Sequence, residues 1–596
     1  MQPSPSSQTG MADTHIVWQP WQAETLAQAR QLEQPIFLSI GYPSCRRCQL
    51  MDADSFADPQ VIAVLNQRYV CIRVDRYQRP DIDRLQQQTF RLLYGHNAGW
   101  PLNMLLNPHD GLAFFGATYV APQAQHGWPG LAALLSRLAD FFAEQRTQVE
   151  TQNAQLGEAL RAGPSPRQGR TGYALHAGPL AAVIQRLGEH YDANNGGFAT
   201  APKFPQVAVL ERLLRHGLHS RNQSRPDQHA LQMLSVTLER MAYSPLRDSH
   251  GGFSRYAHHS DWQQPDSEQT LSDNAQLLAM YAQAGVALQC APLRHVAERL
   301  GVWLVERLRL PDGCFATARD RESGQVDTCV LTAANALAIR GLLIAGRLLG
   351  RESLIQAADR ALESLHRHCW YQGHWRTGYQ AGSLYPPAFL DDYAWLLEAL
   401  LERLQTRWRN QDYQHALRIS AILLEEFQEP GKTGGFYFTS PKHEALPARW
   451  RPLQDEALPA ANGVVAYNLL RLAHLSGGLA LPLAAERTLK YAWPNIECNP
   501  AACNGLLLAL EEYYFPSQVV VIRAVTDELQ TWQQAVRSNY APQRLVLAIP
   551  SDTQVLPETL AECAPVDTGV AYLYQHGKCQ TRCTSLAELQ QALDQA

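Results

Sequence analysis

The sequence predicts a multidomain chain that is α/β at its N-terminal end, all-α through its centre and α/β again at its C-terminal end. Three observations support this division. The run Ile36 to Met51 carries an apolar strand straight into Cys45 and Cys48 at the start of a helix, and further strands and helices alternate after it. From about residue 176, a Gly-aromatic signal recurs roughly every 60 residues between helix-length segments. Beyond Phe515, short apolar strands and helical stretches alternate once more.

Composition narrows the function classes. With 596 residues, 46% of them hydrophobic, the chain can build three or four cored domains. A net charge of −5 with interspersed signs gives no nucleic-acid footprint. No apolar run approaches the roughly 18 residues of a spanning helix, so no membrane partner is expected. The first residues are polar and lack the basic region and apolar core of a secretory signal, Met11 is a second candidate start, and a cytoplasmic location is expected. Most of the twelve cysteines stand singly, which suits reduced thiols.

In the first region, Cys45 and Cys48 flank Arg46 and Arg47. The positive end of a helix, supported by two guanidinium charges, favours thiolate over thiol, so a thiol-disulfide centre is predicted. A pair of inert thiols or half of a zinc site is the alternative, although zinc needs two more ligands and neither a second CxxC nor an HxxxH stands nearby. The amphipathic stretch Asp58 to Arg68 leads to a strand at Tyr69 to Arg73 and a helix from Pro80 to Leu93. Trp100 and Pro101 then precede an apolar strand, a second strand ends at Tyr119, and a helix from Leu131 to Gln145 closes the region. This order resembles the thioredoxin fold, in which a cis proline opposite the CxxC positions substrate backbone; Pro101 matches that role, and an ordinary trans proline opening a strand is the alternative.

After a linker rich in Gly, Pro, Ser and Arg, the repeat takes over. Gly196-Gly197-Phe198, Gly251-Gly252-Phe253, Gly313-Cys314-Phe315, Gly373-His374-Trp375 and Gly434-Gly435-Phe436 mark helical hairpins, which predict an (α/α)₆ toroid with an open solenoid as the alternative. Strands at Val519 to Ala524, Arg544 to Pro550 and Gly569 to Tyr574 predict a small parallel α/β layer without a phosphate loop. The expected boundaries are a disordered tail at 1–17, the thioredoxin-like domain at 18–160, a linker at 161–175, the toroid at 176–515 and the small domain at 516–596.

Many motifs together resemble one family. They include Cys45-Arg46-Arg47-Cys48, Val74-Asp75-Arg76, Arg79-Pro80-Asp81-Ile82-Asp83, Gly99-Trp100-Pro101-Leu102-Asn103, Ala201-Pro202-Lys203-Phe204-Pro205, Asp273-Asn274-Ala275-Gln276-Leu277 and Leu390-Asp391-Asp392-Tyr393-Ala394. The chain resembles the thioredoxin-domain proteins related to spermatogenesis-associated protein 20, from about Trp18 to the C-terminus. The resemblance implies a thioredoxin-like domain fused to a six-hairpin toroid similar to glycosidases and sugar 2-epimerases. The chain departs from the family where members carry histidines and a tryptophan around the cysteines, and where the stretch Trp262 to Leu277 lacks two histidines and a lysine that relatives have. An acid-base pair of the epimerase kind is therefore not expected there.

The candidate site residues follow. Cys45 and Cys48 are the catalytic pair, supported by Arg46, Arg47, Trp100 and Pro101. In the toroid, Lys203, Trp262, Glu268, Asp273, Asp391, Asp392 and Tyr393 are candidates for a cavity. Paired carboxylates suit glycoside hydrolysis, although Asp at a helix start is better explained by capping and aromatics by core packing. The expected partners are a protein disulfide substrate or redox partner and a carbohydrate ligand. No cofactor and no metal are expected, since neither Cys498 with Cys503 nor Cys579 with Cys583 has a histidine at ligand spacing.

Overall fold

The computed structural model describes residues 15–125, 127–162, 174–219, 226–431, 433–537, 540–566 and 568–594. The expected tail up to residue 14 and the expected linker at 163–173 lie outside the described residues. The chain forms two compact units, one of 1–166 with 444–450 and one of 167–443 with 451–596.

The first unit is built on a four-stranded sheet in the order Val70–Asp75, Ile36–Gly41, Leu102–Leu106, Ala113–Ala117. The first two strands are parallel and the other pairings antiparallel. Alternation along Ile36–Gly41 explains why every residue up to Ile40 is buried: Ile36, Leu38 and Ile40 enter one core with Ile72, Ile82 and Phe90, while Phe37 enters a second with Met51, Tyr69 and Phe142. The expected tail is partly anchored, since Ile16 is buried in that second core and Val17 N–H donates to Asn66. Two further elements belong to this unit. One is the helix Arg146–Ala162; the other is the segment 444–450, whose Leu446 packs with both the Ile36 core and the Leu85 cluster and whose Glu444 pairs with Arg79 at 3.1 Å.

In the second unit, the helices Val207–His219, Leu271–Ala287, Thr332–Leu349, Leu390–Thr406, Ala461–Ser476 and Asn504–Tyr514 each pack on the next, and the last packs on the first. They form a closed inner ring, with partners such as Ala291–Arg307 and Glu352–Cys369 outside it. Thr332–Leu349 is long and apolar enough to cross a membrane, and 72% of it is buried as a ring helix.

The Gly-aromatic repeats are the turns that feed the inner helices, and asparagines clamp them. Asn274 accepts from Phe253 N–H and donates to Phe253 O and Thr270 O; Asn335 repeats the pattern on Phe315, and Asn462 on Phe436. In the Trp375 turn, the Tyr393 hydroxyl takes the place of the amide oxygen. Gly197 shows why glycine is needed: its φ is 80° and a Cβ there would lie 2.9 Å from the Lys203 side chain and 2.7 Å from Trp262.

The C-terminal layer differs from the parallel one expected. Only Gln518–Ala524 and Arg544–Pro550 run parallel, joined through the helix Thr526–Arg537. Among the described residues between Pro550 and Val570 only the short 3₁₀ turn Glu558–Leu560 intervenes, and with no crossover helix among them Val570–Gln575 returns antiparallel beside Gln518–Ala524. A tight turn at His576 and Gly577, both left-handed at φ 51° and 72°, then adds a fourth strand, Lys578–Cys583.

Candidate functional site

Cys45 is the N-cap of the helix Arg46–Ala53, and its Sγ accepts a hydrogen bond from Cys48 N–H at 3.2 Å. The two cysteines are joined as a disulfide, each only 5% exposed. Arg46 and Arg47 occupy the exposed first turn, where their charges add to the positive end of the helix. On the other side of the pair the backbone closes in, because a Cβ on Gly41 would lie 3.0 Å from Cys48 Sγ. Cys71, in the parallel strand behind, is a contrasting thiol: burial pushes it up to about 12.

Register brings Trp100 and Pro101 to this end of the sheet, since Leu102 pairs with Ile40. The Trp100–Pro101 peptide is cis. The Trp100 ring meets Tyr42 edge-on at 5.9 Å, and Tyr42 in turn packs on Tyr77 at 5.4 Å. Arg76 lies over both Trp100 and Tyr42, donates its backbone N–H to Gly41 O, and approaches Asp83, which also accepts from the Trp100 indole at 2.8 Å. Sequence reasoning assigned no role to Tyr42, Arg76, Tyr77 or Asp83; Arg76 and Asp83 lay within motifs quoted for the family, and that was the available signal. A vicinal cysteine pair in such a setting can pass two electrons between its dithiol and disulfide forms.

The toroid candidates fall elsewhere than expected. Lys203 is fully buried, with Nζ 2.7 Å from Asp192 and 2.8 Å from Ser260 O; burial raises the Asp192 carboxyl, but hydrogen bonds from Lys203 and Asn195 outweigh it and hold it down at about 2. Trp262 is 1% exposed and donates to Asn195 O, so it is a core residue with no face for a sugar. Glu268 is buried against Arg255 at 3.0 Å. Asp273 accepts from the Thr270 hydroxyl in the first turn of its helix, and burial raises its carboxyl. Asp391 sits in the first turn of Leu390–Thr406. Its neighbour Asp392 accepts from Phe389 N–H and Ala333 N–H, with burial raising it to about 7. Tyr393 is buried, bonded to Trp375 N–H and packed on Phe427. Ion pairs hold Lys203 and Glu268, Asp392 caps its helix, Trp262 and Tyr393 are core, and none of the seven lines the two cavities on the ring axis.

Most of what does line them comes from the inner helices. Glu211, Gln283, Arg340, Glu398 and Tyr467, one each from five successive ring helices, border both cavities, and Trp395 borders one. Arg340 joins the two carboxylates, Nε 2.5 Å from Glu398 and Nη2 3.8 Å from Glu211; burial raises the Glu398 carboxyl despite this. The available signal was a single charge set within an apolar helix, as Arg340 is within Ala336 to Ala345.

Comparison with known proteins adds lineage to this geometry. Residues 4–161 match the family Thioredox_DsbH, described as protein of unknown function DUF255. Spermatogenesis-associated protein 20 of Mus musculus is 26% identical over 712 residues, spanning 97% of this chain and 89% of the mouse protein. The Homo sapiens protein of that name is 26% identical over 719 residues, spanning 97% of this chain and 90% of its own length. Among solved structures, a sugar epimerase from a ruminal bacterium aligns with a TM-score of 0.43 at 13% identity over 56% of this chain and 98% of that one. A D-mannose isomerase aligns with a TM-score of 0.44 at 11% identity over 54% of this chain and 88% of that one. With a Thioredox_DsbH match at its N-terminal end and similarity along nearly its whole length, the chain is similar to spermatogenesis-associated protein 20.

Proposed function

We propose that the N-terminal unit is a thiol-disulfide exchange centre acting on a protein disulfide. The observation that carries this reading is the position of Cys45 as N-cap, with its sulfur bonded to Cys48 N–H at the positive end of the helix. From the dithiol form, the Cys45 thiolate attacks one sulfur of the substrate disulfide and expels the other as a thiolate, which takes up a proton. The Cys48 thiolate then attacks Cys45 Sγ, releasing the second substrate thiol and leaving the Cys45–Cys48 disulfide. Two electrons and two protons pass to the substrate, and the same steps run backwards when the centre acts as oxidant. Pro101 presents the substrate backbone, and Arg46 with Arg47 favours thiolate.

Mixed-disulfide trapping tests this. The Cys48→Ser variant is expected to retain partner proteins covalently on Cys45, with the Cys45→Ser variant retaining none. Adducts equal in both variants, or a reduced Cys45 inert toward a model disulfide at neutral pH, would overturn the reading.

A second reading concerns the ring, where Trp395, Glu211 and Glu398 offer an aromatic face and two carboxylates to a carbohydrate. Calorimetry against neutral monosaccharides and disaccharides is expected to give saturable heat that is lost in Trp395→Ala; no heat from any sugar would dismiss it.

A further inference from the structure

We infer that the cavity on the ring axis that borders the C-terminal layer binds a small phosphate-bearing ligand. Its lining sets Arg215, Arg340, Arg347, Arg471 and Arg544 against Glu211, Glu398 and Glu402. Five guanidiniums face three carboxylates. Glu511, shared by Arg212 at 3.0 Å and Arg215 at 3.3 Å, reduces that excess without removing it, and Glu512 behind it is taken up by Ser517 and His474.

The ion pairs leave donors over. Arg347 and Arg471 share one carboxylate, Glu402, at 2.8 and 3.3 Å. The Nε of each is buried and has no hydrogen-bond partner among the described residues. Arg471 is 4% exposed. Buried cationic donors in excess of acceptors are costly, and an oxyanion placed among them relieves that cost through short charge-assisted bonds. Phosphate suits the arrangement better than a lone halide because its several oxygens can be shared among forked guanidiniums.

The cavity holds about 80 Å³ accessible to the centre of a water-sized group, several times the roughly 10–15 Å³ that one water needs, which is room for a phosphoryl group. The C-terminal layer closes one end with Val536, Tyr540, Pro542 and Val546. Toward the other end, the shared residues Glu211, Arg340 and Glu398 lead into the second cavity, bordered by Met280, Trp395 and Leu508. A phosphoryl group would sit among the arginines, with the body of the ligand pointing toward Trp395.

Isothermal titration of the full chain with inorganic phosphate, glucose 6-phosphate and glucose, at matched ionic strength, tests the assignment. Saturable one-site binding of inorganic phosphate and of glucose 6-phosphate, with glucose at least tenfold weaker than its phosphate, is expected; a free-phosphate site would take inorganic phosphate more tightly, a metabolite site the sugar phosphate. Arg471→Gln is expected to weaken binding about tenfold. Glu402→Gln removes a competing negative charge and is expected to tighten it about threefold. Circular dichroism establishes that each variant is folded, and Arg347→Gln replaces Arg471→Gln if the latter is not. No phosphate binding at millimolar concentration, equal binding of glucose and its phosphate, or affinity unmoved in both Arg471→Gln and Glu402→Gln would overturn it.

Discussion

The Arg76 guanidinium lies 3.9 Å from the centroid of the Trp100 ring, and both residues reach the same carboxylate, Asp83. Arg76 is thereby fixed by an aromatic face, an ion pair at 3.4 Å and a backbone bond to Gly41, the last residue of the strand that delivers the cysteines. Arg76→Ala is expected to cost about 2 kcal/mol in urea unfolding of the full chain, from the cation-π contact and the buried Asp83 losing a partner. Arg76→Lys is expected to recover only part of this, because an ammonium cannot stack on the indole and bond the carboxylate together. A cost below about 0.5 kcal/mol for Arg76→Ala would mean that the shelf formed by Tyr42, Tyr77, Arg76 and Trp100 is not a structural unit.

The asparagine clamps carry a comparable load. Asn274→Ala removes three hydrogen bonds, two of them buried, and leaves Phe253 N–H without the acceptor it has now. A loss of about 3 kcal/mol is expected, with similar values for Asn335→Ala and Asn462→Ala, measured by chemical denaturation. Asn274→Asp retains the acceptor but not the donor, and should fall between the wild type and the alanine variant.

Acid sensitivity follows from Asp192. Its carboxyl is held at about 2 in the folded protein, below its unfolded value, so the stability it contributes is present above about pH 4 and is lost as pH falls toward 2. Lys203→Met is expected to cost about 1 kcal/mol at pH 7, once solvent screening of the partly exposed carboxylate is allowed for. The difference from wild type should vanish near pH 2, measured as unfolding midpoints across that window. A constant difference at all pH values would assign the loss to packing against Trp262 instead.

Thiol labelling discriminates among the cysteines. In the native oxidised protein, Cys498 and Cys579 are exposed and should react with an alkylating reagent at neutral pH, whereas Cys71 and Cys369, which burial raises to about 12, should not. Mild reduction should add Cys45 as a newly labelled site ahead of Cys48, read by peptide mass spectrometry. Labelling of Cys71 on the same time scale would mean that the sheet opens locally.

Local signals made much of this legible. Alternation along Ile36 to Ile40, the cysteine spacing and the recurring Gly-aromatic turns are written within a few residues each, and the elements they imply formed. The shelf of Tyr42, Tyr77, Arg76 and Trp100 was not legible, because its contacts join segments whose meeting depends on strand order. The strand Lys578–Cys583 was missed for another reason: up to its last residue it is an exposed polar edge, so neither face is selected for apolar residues. Asp273 and Asp392 are open to two readings in the sequence because acidic residues at a helix start serve either capping or chemistry, and only the partners distinguish the two. Arg340 and Glu398 lacked any motif, since a cavity assembled from the middles of separate helices leaves no contiguous trace.

The inclusion of 444–450 in the first unit has a consequence during synthesis. About 280 residues separate that segment from the end of the N-terminal stretch it completes. A nascent chain that has left the ribosome only as far as residue 166 has neither Leu446 to fill its place in the core nor Glu444 to meet Arg79, so the cysteine-bearing unit must wait, incomplete, while most of the helical ring is translated. Excised fragments ending near residue 166 would inherit the same deficit permanently.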